Sequence, residues 1–121
     1  MTTLLFLSSD LMFSSRVMSA AKGRGVSAAL VPNQPSLAGK LSVDCKLAII
    51  DLSLDRLDLP AAIGVIKANS PTARIVAYGA HVNEAALASA ALASAAVAGC
   101  DLVLSNRQFN EQYADLIQAL V

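Results

Sequence analysis

Two aspartates follow the apolar segments of this sequence that are best suited to form buried strands. Asp51 ends the run KLAIID, and Asp10 follows LLFLSS. Two carboxylates held close together repel each other unless a cation or a proton lies between them, and paired hard oxygen ligands bind Mg²⁺. We therefore predict that Asp10 and Asp51 form a carboxylate pair suited to Mg²⁺. Asp51 also has a plainer interpretation, as a turn residue that accepts hydrogen bonds from nearby backbone N–H groups.

The other groups capable of chemistry are scattered. His81 is the only histidine, and we interpret it as a capping or surface residue. Cys45 and Cys100 are far apart and lack the spacing of a zinc site, so we interpret both as structural thiols. The sequence has neither a GxSxG nucleophile motif nor a GxGxxG dinucleotide motif.

The elements that must position the two aspartates alternate between strand and helix. Short apolar runs predict strands at 3–7, 26–31, 47–50, 73–78 and 102–104. Helical spacing predicts helices at 11–22, 59–68, 83–98 and 108–120, with a weak helix at 36–41. The first helix should bury Leu11, Val17, Met18 and Ala21, and the last should bury Phe109 and Tyr113.

This alternation predicts an α/β fold with a five-stranded parallel sheet. Strands without polar alternation are buried on both faces, and right-handed crossovers place helices on both sides. The chain is too short for an eight-unit barrel and fits a doubly wound, flavodoxin-like (βα)5 sheet of strand order 2-1-3-4-5. In such sheets ligands gather at the carboxyl ends of the strands, which is where Asp10 and Asp51 should meet.

Composition excludes several classes of function. The 121 residues suit one domain, predicted as 1–121, and 55% of them are hydrophobic, unlike a disordered chain. Nine basic and nine acidic residues cancel, without a basic block, and aromatic residues make up 4%; both features disfavour nucleic acid as a partner. We see no signal peptide and no membrane span, so we expect a cytoplasmic protein.

The chain resembles the receiver domain of bacterial two-component response regulators over its whole length. The resemblance rests on FLSSD after strand one, LAIID at strand three, AYGAH after strand four and AGCDLVL at strand five. It implies that Asp51 is the nucleophile that accepts a phosphoryl group. It also implies a Mg²⁺ site formed by Asp10, Asp51 and the backbone carbonyl of Ser53.

The departures from the receiver pattern predict a degenerate receiver, or pseudo-receiver. The positions that correspond to the family's switch and pocket are occupied here by Ser9, Tyr78, Gly79, Ser105 and Asn106. Ser9 replaces the first of two adjacent acids, Tyr78 or Gly79 replaces a Ser or Thr, and Ser105-Asn106 replaces Lys-Pro. Arg107 is the nearest cation, but its planar fork is not equivalent to the missing lysine. We expect this loss to weaken the Mg²⁺ site and remove the switch that senses phosphorylation.

The predicted fourth helix carries a tandem repeat. Residues 86–95 read ALASA twice, and deleting one copy restores the receiver spacing between Gly79 and Gly99. The repeat is either a neutral duplication or a contact device. In receivers the fourth helix, fifth strand and fifth helix form the face that meets partners or dimerises, so we predict a protein partner or self-association there.

Two functional hypotheses remain open. The first is a stand-alone, non-enzymatic signalling module that acts by protein–protein interaction. The alternative is a competent single-domain response regulator that is phosphorylated on Asp51 in a Mg²⁺-dependent phosphorelay. A small-ligand binder of flavodoxin-like shape is a weaker third hypothesis, because no loop motif specifically supports it.

Overall fold

A computed structural model describes residues 2–79 and 99–121 of the chain. The predicted helix at 83–98, its ALASA repeat and His81 lie outside the described residues. The strands are β1 (Leu4–Leu7), β2 (Ala28–Val31), β3 (Leu47–Asp51), β4 (Arg74–Gly79) and β5 (Leu102–Ser105). The described helices are α1 (Leu11–Gly23), α2 (Leu59–Asn69) and α3 (Asn106–Gln118).

The five strands form one parallel sheet in the order β2-β1-β3-β4-β5, which confirms the predicted topology. β1 and β3 lie in the middle of this order and are buried at every residue. Such central strands pack on both faces, which is why their sequences are continuously apolar rather than alternating.

Helices cover both faces of the sheet, as a doubly wound fold requires. One face packs against α2, where Ala62, Ile63 and Ile66 are buried. The other face packs against α1 and α3 through Phe13, Val17, Phe109 and Ile117. The sheet is therefore enclosed between two apolar layers, and its polar groups are concentrated at the strand ends.

The connection from β2 to β3 differs from the prediction. In place of one helix at 36–41, the chain forms two 3₁₀ turns, Gln34–Ser36 and Ala38–Lys40, and buries Leu37 between them. Short 3₁₀ segments are common connectors. Asn33 caps the first turn by accepting a hydrogen bond from the Ser36 N–H.

Helix α1 confirms its predicted start at residue 11 and two of its predicted core residues, but not the burial of Leu11. Val17 and Ala21 are buried, whereas Leu11 is 83% exposed, so its predicted burial is wrong. Phe13 takes the core position in the first turn instead. The Asp10 side chain caps the helix, so Leu11 is its first residue. In that position the side chain of Leu11 points towards solvent.

Candidate functional site

Asp51 ends β3 at the carboxyl edge of the sheet and is only 2% exposed. The sheet pairs Leu7 with Ile50 and Asp51 with Tyr78. Ser8, one residue past Leu7, therefore lies beside Asp51. Side chains at one level of a parallel sheet point to the same face, and Tyr78 belongs to the apolar layer formed with α1 and α3.

Ser8 is the side chain that faces Asp51 from β1. Its hydroxyl donates to Asp51 Oδ2 at 2.7 Å, and Ser8 is fully buried. The Ser8 Oγ in turn accepts from the Asp10 backbone N–H at 3.0 Å and from the Tyr78 hydroxyl at 3.4 Å. One donor and two acceptor positions complete the capacity of a hydroxyl group.

Ser53 satisfies the other oxygen of Asp51. Its backbone N–H and its hydroxyl donate to Asp51 Oδ1 at 2.9 and 2.6 Å. Among the described residues, Asp51 therefore accepts three hydrogen bonds, all from neutral donors. Such bonds offset the cost of burying a carboxylate. Ser53 is exposed, so solvent approaches the carboxylate from this side.

Asp10 does not contribute its side chain to this network. Its Oδ1 accepts from the backbone N–H groups of Met12 and Phe13 at 2.8 and 3.3 Å and caps α1. A carboxylate at a helix N-terminus satisfies free N–H groups and interacts favourably with the helix dipole. The expected facing pair of carboxylates is thus replaced by a Ser8–Asp51 pair, with only the backbone of Asp10 touching it.

Tyr78 lies at the level of Asp51 and connects the network to an aromatic cluster. Its ring stacks on Phe109 with centroids 4.1 Å apart and meets Phe13 edge-on at 5.4 Å. Burial raises the pKa of the Tyr78 phenol well above its ordinary value of 10.0. The Ser8 hydrogen bond acts against this rise, and the charges of Asp51 and Asp10 add to it. Tyr78 therefore remains a protonated donor to Ser8.

Gly79 ends β4 opposite Ser105 and has no side chain to offer a ligand. A Cβ at this position would lie 3.3 Å from both Cβ and Cδ1 of Leu52. Leu52 is held there because its N–H donates to the Tyr78 carbonyl at 2.8 Å. The space beside the carboxyl end of β4 is therefore occupied by the apolar side chain of Leu52.

The residues after β5 begin a helix. The Ser105 hydroxyl accepts from the Gln108 N–H at 3.1 Å, and the Gln108 side chain accepts from the Ser105 N–H at 2.9 Å. This capping box starts α3 at Asn106, two residues before the predicted start. Arg107 is exposed and pairs with Glu111 at 3.4 Å, one turn along α3. It therefore does not direct its charge towards Asp51.

Ser9 is exposed and turns away from the buried network. Sequence analysis missed Ser8, because the match to the receiver pattern placed the family's two acids at Ser9 and Asp10. The two-residue period of a strand would have identified Ser8. Leu4 and Phe6 lie on the face of the sheet that also contains Tyr78, and Ser8 is the next residue in that alternation.

The side chains present do not fit a divalent cation in this arrangement. Asp51 receives hydrogen-bond donors on both oxygens, Ser8 is neutral, and Asp10 caps a helix. In residues 2–79 and 99–121, no three His, Cys, Asp or Glu side chains come together as metal ligands. The predicted Mg²⁺ ligands Asp10, Asp51 and the Ser53 carbonyl thus remain a prediction that the hydrogen bonding disfavours.

Comparison with solved structures places this fold among receiver domains. A signal receiver domain of a response regulator from Bermanella marisrubri superposes with a TM-score of 0.75 at 20% identity, covering 99% of this chain and 98% of that one. A response regulator from Burkholderia pseudomallei, with a phosphorylated aspartic acid, calcium ion and citrate, gives 0.69 at 19%, covering 98% and 72%. A beryllofluoride-activated NtrC4 receiver domain dimer gives 0.69 at 14%, covering 98% of both chains.

No family model matches the sequence, and no curated protein matches it. The chain has the flavodoxin-like fold of receiver domains, with the same five-stranded order. None of the helices in the described ranges combines the length and the apolar character needed to span a membrane.

Proposed function

We propose that residues 1–121 form one receiver-like domain of two-component signalling that acts by binding a protein, either a partner or a second copy of itself. The fold and the position of Asp51 at the end of β3 support a receiver origin. In this proposal the domain is a non-catalytic module with a cytoplasmic location.

The observation that carries the degenerate interpretation is that, among the described residues, the ends of β4 and β5 direct neither a free hydroxyl nor a cation towards Asp51. Gly79 has no hydroxyl and is covered by Leu52. Ser105 uses its hydroxyl to cap α3, and Arg107 lies on the outer face of that helix. A switch needs a group whose contacts differ between the two states, and these positions do not provide one.

The surface proposed for the partner includes β5 and α3. Helix α3 buries Phe109 and Ile117 and presents polar residues such as Asn110 and Glu111 to solvent. The predicted fourth helix would extend this surface, but it lies outside the described residues. Self-association through this face predicts a concentration-dependent change in size, measured by analytical ultracentrifugation.

A competent phosphoacceptor is the second candidate function. Two observations favour it: Asp51 occupies the strand end, and two structurally similar receivers are phosphorylated or beryllofluoride-activated. The exposed Ser53 side leaves one approach to the carboxylate open. Attack through Oδ1, the oxygen on this side, would require Ser53 to release it first.

Incubation with Mg²⁺ and acetyl phosphate separates the two candidates. We expect no mass gain of a phosphoryl group and no amide shifts near Asp51 when beryllofluoride is added. The Asp51→Asn variant is the matched control, because it removes the nucleophile and keeps the shape. A phosphoryl gain in the wild type that is absent from this variant would establish the phosphoacceptor instead.

A further inference from the structure

The Ser8–Asp51 contact has a consequence for metal binding that rests on the proposed function. A cation bound by Asp51 needs carboxylate lone pairs directed at it. Three of the roughly four lone-pair sites of a carboxylate are already used by Ser8 and Ser53. The Ser8 contact lies in the fully buried part of the site, where water cannot replace a lost donor.

Ser8 is itself held in this orientation. It accepts from the Asp10 N–H, and Asp10 is fixed by capping α1. It also accepts from Tyr78, whose ring is stacked on Phe109. With both acceptor positions filled, the hydroxyl proton has one remaining direction, towards Asp51 Oδ2. Two independent elements therefore orient the donor.

We propose that Ser8 keeps this site free of metal: its hydroxyl makes Asp51 a metal-independent, hydrogen-bonded carboxylate, and an acid at position 8 would allow a divalent cation to bind. Ser8→Asp would place a second carboxylate against Asp51, at a point where Ser8, Asp51 and Tyr78 are each at most 2% exposed. Two carboxylates this close cannot both remain ionised without a shared proton or cation. A small divalent cation with oxygen ligands relieves that repulsion.

Ser9 supplies the matched control. It is the next residue along the chain and is exposed, and the described donors to the Asp51 carboxylate are Ser8 and Ser53, not Ser9. Ser9→Asp therefore changes the net charge as much as Ser8→Asp does, without facing Asp51. A mere increase in surface charge would affect both variants equally.

The test is thermal unfolding with Mg²⁺ or Ca²⁺ at millimolar concentration against NaCl of equal ionic strength, without any phosphodonor. We expect no metal-dependent rise in Tm for the wild type or for Ser9→Asp. Ser8→Asp should have a lower Tm than the wild type without metal and should recover with either cation. Adding Asp51→Asn to Ser8→Asp should abolish the response, because the second carboxylate is then gone.

A second readout covers the case in which Ser8→Asp folds poorly. Terbium(III) emission sensitised by Tyr78, which lies at the same strand level, should appear with Ser8→Asp and be absent from the wild type. Ser8→Asn, a neutral donor, should fold without metal and show no emission. A wild type that gains Tm or emission as strongly as Ser8→Asp would overturn the proposal, and so would a response confined to Ser9→Asp. Either result leaves the protein-binding function standing, because no partner or phosphodonor is present.

Discussion

Removal of the Ser8 hydroxyl should destabilise the fold through the charge of Asp51. In Ser8→Ala, Asp51 Oδ2 loses its 2.7 Å donor while 2% exposed, so water cannot replace it. A hydrogen bond to a charged group contributes about 1.5–3 kcal/mol to stability. For a chain of this size, that loss corresponds to a Tm lower by roughly 5–15 °C.

A double-mutant cycle separates this effect from the loss of packing. In an Asp51→Ala background the charge is gone, and Ser8→Ala should then cost under about 1 kcal/mol. The resulting coupling energy, the difference between these two costs, should be more than about 0.5 kcal/mol and at most about 3 kcal/mol. Urea unfolding followed by circular dichroism at neutral pH measures all four variants, and an unchanged m-value shows that the unfolded state is comparable.

Ser15 provides the control for a serine-to-alanine change nearby. It is exposed on α1, so Ser15→Ala should change the unfolding free energy by no more than about 0.5 kcal/mol. Additivity of Ser8→Ala and Asp51→Ala within about 0.5 kcal/mol would refute the reasoning. It would mean that the two side chains are neighbours without a significant hydrogen bond.

Three further predictions concern the rest of the site and its surroundings. Gly79→Ser should lower stability by about 1–3 kcal/mol in urea unfolding, because its Cβ would meet Leu52 at 3.3 Å; an equally stable variant would show that Leu52 yields easily. Ser105→Ala should cost about 0.5–2 kcal/mol through loss of the α3 cap, and an unchanged Tm would contradict the capping box. Burial, chiefly, raises the pKa of Cys100 from 9.0 to about 11. The Cys100 thiol ionises at a lower pH in the unfolded chain than in the folded one. Its contribution to the stability of the fold is therefore fully present below pH 9 and is lost as pH rises to about 11. Cys100→Ala should flatten the alkaline loss measured by urea unfolding, and an unchanged slope would assign that loss to another group such as Tyr78.

The fold was predictable from the sequence because its signals are local. Continuous apolar runs such as Leu47–Asp51 identify strands buried on both faces, and their alternation with helices requires parallel pairing. These patterns also place Asp51 at the carboxyl edge. Helix ends were less predictable, as the start of α3 at Asn106 shows, since a single capping side chain fixes it.

The sequence by itself determined that polar side chains would gather at one edge of a parallel sheet, with Asp51 among them. Only the tertiary structure decided that Ser8, and not Asp10 or Ser9, is its partner. The Asp10 carboxylate could either cap α1 or point towards Asp51 at the edge of the sheet. In the structure it accepts hydrogen bonds from the free N–H groups at the start of α1. The register between β1 and β3 then brings the neutral hydroxyl of Ser8 to the buried charge of Asp51.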